Sequence, residues 1–194
     1  MLYLASRSPR RADLLTRLGV TFGLLDLDLP EVRMPGEPPL DYVSRVAREK
    51  AGAGLLSVMS NPSAVVLGAD TEVVLEDTVF GKPTDVEDAR RMLNLLSGKT
   101  HEVITVVWLL SAGKEVREVS ITRVRFGVLD DALLDQYLTG DEWSGKAGAY
   151  AIQGAAQAFI EHVDGSPSGV MGLPLFETAR ALRGFGLFAA GRAQ

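Results

Sequence analysis

Val65-Val66-Leu67-Gly68-Ala69-Asp70-Thr71-Glu72-Val73-Val74-Leu75 is the stretch on which the fold turns. Its first residues are apolar on both faces, the pattern of a strand central in a sheet; the strand is expected over Ala64–Leu75. Working outward, Leu2–Ala5 reads as a first strand and Pro9–Leu18 as a helix, with Ser8 as N-cap, Pro9 at the first helical position and Leu14, Leu15 and Leu18 inward. Gly19 ends that helix before a strand over Val20–Leu27. A proline-bearing acidic loop, Asp28–Pro39, leads to a long helix over Leu40–Met59, broken by Asn61-Pro62-Ser63. Beyond the central strand come a turn, a short return strand at Val79–Gly81, and a helix over Val86–Leu96 capped by Thr84. Two long strands, His101–Ala112 and Glu115–Gly127, flank a turn at Gly113. A short helix over Asp130–Leu138, a loop at Gly140–Gly148, an extended segment at Tyr150–Gln153, a strand over Ala156–Val163, a loop at Gly165–Gly169 and a helix over Pro174–Arg183 complete the chain. Residues 184–194 read as a frayed tail. Interleaved helices and strands make the chain α/β, and the paired strands near His101–Phe126 make part of the sheet antiparallel.

The 194 residues suffice for one large domain. A net charge of −5 argues against nucleic-acid polymers and anionic membranes, which need clustered Lys and Arg. The absence of cysteine excludes disulfides, thiolate zinc sites and a cysteine nucleophile, and two histidines leave little for a histidine metal cage. No run is long and apolar enough to span a membrane and no signal peptide is evident, so a cytoplasmic protein is expected. There is no GxxxxGK[ST] loop and no G-x-S-x-G elbow.

Four polar sets interrupt the apolar pattern. At the first strand–helix turn, Ser6-Arg7-Ser8-Pro9-Arg10-Arg11 places hydroxyls, backbone N–H groups and guanidinium forks at a helix N-terminus, where the dipole disfavours cations. This suits a small anion such as phosphate; the alternative is arginines that snorkel or pair with surface carboxylates. In the central strand, period two puts Asp70 and Glu72 on one face and Thr71 on the other. A carboxylate within an apolar strand is costly unless paired or metal-bound, and two of them with oxygen-only neighbours suit Mg²⁺ or Mn²⁺; otherwise the strand ends near Gly68 and Asp70 caps a turn. Glu31, Lys50 and Lys82 are single charges that taken alone read as surface residues, although Gly81-Lys82-Pro83 could hold its lysine toward a phosphate. Finally, Gly145–Gly154 combines glycines with one amide, Gln153, whose donor and acceptor match the edge of uracil or thymine; a glycine-rich surface loop is the other reading.

Together these stretches resemble the Maf family of nucleotide pyrophosphatases. The resemblance is carried by Leu4–Arg11, Arg48-Glu49-Lys50-Ala51, Gly68-Ala69-Asp70-Thr71, Gly81-Lys82-Pro83, Ser97-Gly98-Lys99-Thr100-His101, Lys146–Gly154 and Gly172-Leu173-Pro174, in the family's order along nearly the whole chain. It implies a single domain over 1–194 with the Maf, inosine-triphosphatase-like fold: an elongated mixed sheet flanked by helices, with a cleft between two lobes. It implies hydrolysis of a nucleoside triphosphate to the monophosphate and pyrophosphate. Tyr150-Ala151-Ile152-Gln153-Gly154 resembles the branch acting on dTTP and UTP, possible cellular substrates including modified pyrimidines. A preference for another nucleotide such as 7-methyl-GTP, whose branch is acidic at that loop, and a non-catalytic nucleotide-binding regulator of septation are the alternatives. The resemblance makes Asp70 the proton acceptor. It gives Arg10, Thr71 and Gln153 to base specificity and Ser6, Arg11, Lys50 and Lys82 to substrate binding. Glu31 and Asp70 would hold Mg²⁺ or Mn²⁺, and the assembly would be a cytoplasmic homodimer. Glu72 stands where the family usually has an apolar residue and Arg7 where it often has a small one.

Overall fold

A computed structural model describes residues 1–188. Its sheet has seven strands, β1 (Leu2–Ala5), β2 (Phe22–Leu25), β3 (Val65–Leu75), β4 (Thr78–Phe80), β5 (Thr100–Leu110), β6 (Glu115–Phe126) and β7 (Ile160–Asp164), in the order β2-β1-β3-β5-β6-β7 with β4 hydrogen-bonded to the end of β3. β2, β1 and β3 run parallel, and β3, β5, β6 and β7 antiparallel, as the α/β reading with a partly antiparallel sheet requires. The helices are α1 (Pro9–Arg17), α2 (Pro39–Ser57), α3 (Val86–Leu96), α4 (Asp131–Leu138), α5 (Pro167–Val170) and α6 (Leu175–Gly184).

β3 explains the layout. Its odd residues Leu67 and Ala69 pack with α1 and α6, burying Leu14, Leu15, Leu173, Ala181 and Leu182. Four residues on, Val73 packs on the same face into a second core of α3, α4 and the aromatic set Phe126, Tyr137, Tyr150 and Phe159. Thr71 stands where these two cores meet. The even residues face α2, where Val74 joins Tyr42, Val43, Val46 and Ala47. Each fully buried Leu, Val or Phe contributes roughly 1.5–3 kcal/mol, so two apolar clusters anchored on one strand hold its middle in place.

That middle is open on one side. β1 pairs with β3 from Val65 to Gly68, and β4 pairs from Val73 to Leu75, so Ala69–Glu72 have a strand neighbour only on the β5 side. The gap lies beyond the carboxyl end of β1, the usual place for a ligand in an open α/β sheet.

Several local expectations are corrected. Ala155–Phe159 is a 3₁₀ turn and not strand, because the Glu142 carboxylate accepts the N–H groups of Ala155 and Ala156 and satisfies them without a ladder; β7 begins at Ile160. Asp85, not Thr84, caps α3, accepting from the Asp88 N–H. The loop over Gly165–Gly169 closes into α5, where Ser166 Oγ accepts from Gly169 N–H. Residues 184–188 are not frayed: α6 runs to Gly184, and Phe185, Leu187 and Phe188 pack against the α1–α6 core. The rest of the expected tail, 189–194, lies outside the described residues.

Candidate active site

The opening beside Ala69–Glu72 is a cleft of about 760 Å³. Its walls are the β1–α1 turn from Ala5 to Arg11, the middle of β3, Lys50 of α2, Glu31 of the acidic loop, Lys82, and the segment from Gly145 to Gln153. Every residue singled out from sequence, Ser6, Arg10, Arg11, Glu31, Lys50, Asp70, Thr71, Lys82 and Gln153, lines this one cavity.

Its central feature is Lys50. The ammonium lies 2.5 Å from Glu31 Oε1 and 2.8 Å from Asp70 Oδ1, bridging a loop and a central strand. Gly68 makes that reach possible: a Cβ there would sit 2.4 Å from the Ala47 carbonyl oxygen and 2.5 Å from Ala51 N. With no side chain at Gly68, α2 lies flush on β3 and delivers Lys50 to Asp70 two residues further on. Lys82 approaches the other Glu31 oxygen at 3.3 Å. Burial opposes ionisation of Glu31, but Lys50 and then Lys82 outweigh it and hold its carboxyl below the ordinary range. The loop carrying Glu31 is pinned from α2: Arg45 donates to both oxygens of Glu37, at 2.7 and 2.8 Å, and to the Val32 carbonyl, while Tyr42 Oη donates to the Glu31 carbonyl.

Asp70 and Glu72 are both buried, at 4% and 7% exposure, on the α2 face of β3, as period two predicts. Among the described residues, Asp70 Oδ2 and Glu72 Oε2 have no hydrogen-bond partner. Burial, with the charges of Asp70 and then Glu31, pushes the Glu72 carboxyl up to about 8.

The basic turn divides its labour. Arg11 donates from Nε to the Gly172 carbonyl at 2.8 Å, from one terminal nitrogen to Ser6 Oγ at 3.3 Å and from the other to Thr71 Oγ1 at 3.1 Å. It ties the β1–α1 turn to the strand and to the loop before α6. Thr71 Oγ1 also bonds Thr105 Oγ1 across the β3–β5 pair at 2.9 Å, so its hydroxyl is engaged within the protein. Arg7, read with the anion cluster, instead turns to the surface pair Asp26 and Asp28. Arg10 is half-buried at the cleft wall, and burial and the Arg11 charge lower its pKa. Ser8 is the N-cap of α1 but makes no side-chain cap bond, which leaves the first-turn N–H groups uncapped at the cleft wall.

The opposite wall is loop. Gly148, at φ 66°, folds this segment onto Val73 of β3, a backbone position that favours glycine. Tyr150 is buried, its hydroxyl 2.9 Å from His101 Nε2, and three residues on Gln153 is exposed at the mouth. Lys146 lines the same wall, and burial followed by the Arg10 charge lowers its pKa. Sequence patterns do not mark Lys146, Tyr42 or Arg45: Lys146 lies unremarked inside a quoted motif, Tyr42 belongs to the buried face of α2 with only its hydroxyl reaching the Glu31 carbonyl, and Arg45 lies on the polar side of an ordinary amphipathic helix.

Among the described residues no group of three His, Cys, Asp or Glu side chains is gathered to hold a metal, and no helix is long and apolar enough to cross a membrane. A hard cation needs fewer protein ligands, because Mg²⁺ keeps several waters and takes one or two carboxylates plus substrate phosphate oxygens. An all-oxygen set with an unpartnered, buried Asp70 oxygen fits that demand.

The sequence profile of the Maf-like protein family matches residues 1–185. The dTTP/UTP pyrophosphatase of Xanthomonas campestris pv. campestris is 55% identical over 188 residues, 96% of this chain and 99% of that protein. The nucleoside triphosphate pyrophosphatase of Xylella fastidiosa strain 9a5c is 51% identical over 186 residues, 95% of this chain and 98% of that one. Among solved structures, the Staphylococcus aureus Ham1 protein gives a TM-score of 0.47 at 12% identity, covering 64% of this chain and 71% of that chain.

Proposed function

The chain belongs to the Maf-like protein family, and from that premise we propose that it is a metal-assisted pyrophosphatase hydrolysing dTTP and UTP to the nucleoside monophosphate and pyrophosphate. The observation that carries this is the Asp70 carboxylate: buried in an apolar strand at the cleft wall, held through one oxygen by Lys50, and carrying the other without a partner among the described residues. A carboxylate so placed can take a proton from an attacking water.

In this reading water adds to the α-phosphorus, the bond to the bridging oxygen of the β-phosphate breaks, and pyrophosphate leaves. Asp70 takes the water's proton. Lys50 keeps Asp70 oriented against Glu31 and supplies positive charge beside the phosphates. Arg10, Lys82 and the uncapped N–H groups of α1 hold the triphosphate, charge-assisted contacts that strengthen as charge builds on the leaving oxygens. Ser6, Arg11 and Thr71 form the strut that keeps the turn carrying Arg10 against β3. Asp70, and Glu31 on exchanging a lysine for it, would hold Mg²⁺ or Mn²⁺, which when bound neutralises phosphate charge and lowers the pKa of the attacking water. Gln153 at the mouth reads the base edge with one donor and one acceptor, and an amide rather than a carboxylate there supports pyrimidines over 7-methyl-GTP. The reading includes a homodimer acting in the cytoplasm, which light scattering and cell fractionation test.

The decisive assay is pyrophosphate release from a panel of nucleoside triphosphates with Mg²⁺. Release fastest from dTTP and UTP is expected; no release from any member overturns the reading.

A further inference from the structure

Glu72 has no role in the proposed reaction, yet it is a buried carboxyl in the cleft that no cation pairs with among the described residues. Its Oε2 is buried and unpartnered, as is Asp70 Oδ2, and the two residues stand on one face of β3 two positions apart. The rise of a strand places such neighbours roughly 6.6 Å apart, close enough for two carboxylates to converge on one cation with ligand distances of about 2.1 Å. The nearby cations do not answer Glu72. Lys50 is shared between Glu31 and Asp70, Lys82 lies against Glu31, and Arg11 is spent on Gly172, Ser6 and Thr71. Glu31 itself has a lysine on each oxygen.

We propose that Glu72 and Asp70 together form the seat of a divalent hard cation, Mg²⁺ or Mn²⁺, completed by phosphate oxygens of the bound nucleotide. This rests on the metal-assisted reading above and puts Glu72 in the ligand place given there to Glu31, which serves chiefly to position Lys50 and Lys82. The donors are oxygens alone, which selects against softer ions. Two carboxylates are too few to hold the ion firmly without phosphate, so metal and nucleotide bind cooperatively.

Mn²⁺ binding followed by electron paramagnetic resonance tests this on the full chain, with and without the non-hydrolysable α,β-imido analogue of dUTP. The wild-type protein should bind Mn²⁺ weakly alone and at least tenfold more tightly with the analogue. Glu72→Gln, of the same shape, and Glu72→Leu, which fills the space without a carboxylate, should each weaken Mn²⁺ binding tenfold or more in the presence of the analogue. Both should bind the analogue without metal at least as well as wild type, since neither places a carboxylate beside the triphosphate. Thermal melts show which variants fold, and either one suffices. Wild-type Mn²⁺ affinity in a folded Glu72 variant overturns the seat. If the wild-type protein hydrolyses dTTP while that result is obtained, only the seat fails; if it releases pyrophosphate from no nucleotide, the functional reading fails independently.

Discussion

The two ends of the cleft are built differently. At the phosphate end, Lys50, Asp70 and Glu72 sit on a 19-residue helix and an 11-residue central strand pressed together at Gly68. At the base end, Gln153 sits on loop between a turn at Gly148 and the 3₁₀ turn at Ala155, and the loop is moored through Tyr150 to His101. The contrast separates chemistry from recognition. Groups that must stand within about half an ångström of a productive geometry are on packed elements, while the group that chooses among bases is where substitution disturbs least.

The sharpest break is Asp70→Asn. The phosphate end should keep its shape, because Lys50 retains Glu31, but the proton acceptor is gone. Turnover of dTTP should fall about 10³-fold, equivalent to about 4 kcal/mol of barrier. Pyrophosphate release measures it, and turnover within a few-fold of wild type removes Asp70 from its role. Lys50→Met comes next and strikes the scaffold as well as the site. It strands Asp70, 4% exposed, and leaves Glu31 to Lys82 alone; breaking a buried pair by removing one partner costs roughly 3 kcal/mol. Urea unfolding should show that loss alongside lost activity, whereas Asp70→Asn should lose activity with much less change in stability.

The mooring at the base end has its own pH dependence. Burial holds the His101 imidazole down at about 4, against 6.5 for the free side chain. Above pH 6.5 both folded and unfolded states are neutral there and the residue adds no slope. Between 6.5 and 4 the unfolded chain takes up a proton that the folded one refuses, so stability falls as pH falls, by up to roughly 3 kcal/mol. Urea midpoints across that window should decline less steeply in His101→Gln; an unchanged slope would show that His101 does not carry the acid sensitivity.

The same contrast governs what could be read from the chain beforehand. Asp70 and Glu72 stood out because charges interrupt an apolar strand, and the strand–Ser-Pro–helix turn announced its anion-ready N-terminus. Lys50 and Glu31 did not stand out from residue pattern. Lys50 shares its helix with Arg45, Arg48 and Glu49, and only the absence of a Cβ at Gly68 brings α2 close enough for it to matter. Resemblance to the family singled them out; the packing gives the reason. Arg10 and Arg11 are alike in sequence, yet one is a tertiary strut, which no local pattern distinguishes. At the base end, the strand signal of Phe159–Val163 runs back into an alanine-rich stretch of weak strand propensity, Ala155–Ala158, whose backbone is held instead by the Glu142 carboxylate thirteen residues before Ala155.

The smallest expected effect is the one that tests the base end most directly. Gln153→Glu keeps length and shape but replaces the amide donor with an acceptor, so one hydrogen bond to the pyrimidine edge becomes a lone-pair repulsion. Because Gln153 is exposed, water softens the loss, and a tenfold fall in kcat/KM for dTTP and UTP, about 1.4 kcal/mol, is the expected scale. The fall should be larger for these two than for purine triphosphates, and it should leave stability unchanged since the side chain is exposed. Competition between dTTP and GTP in one reaction reads the ratio directly. A uniform loss over all nucleotides would place Gln153 with the phosphate end after all, and the division between a rigid chemical end and a loop-borne selective end would fail where it is easiest to test.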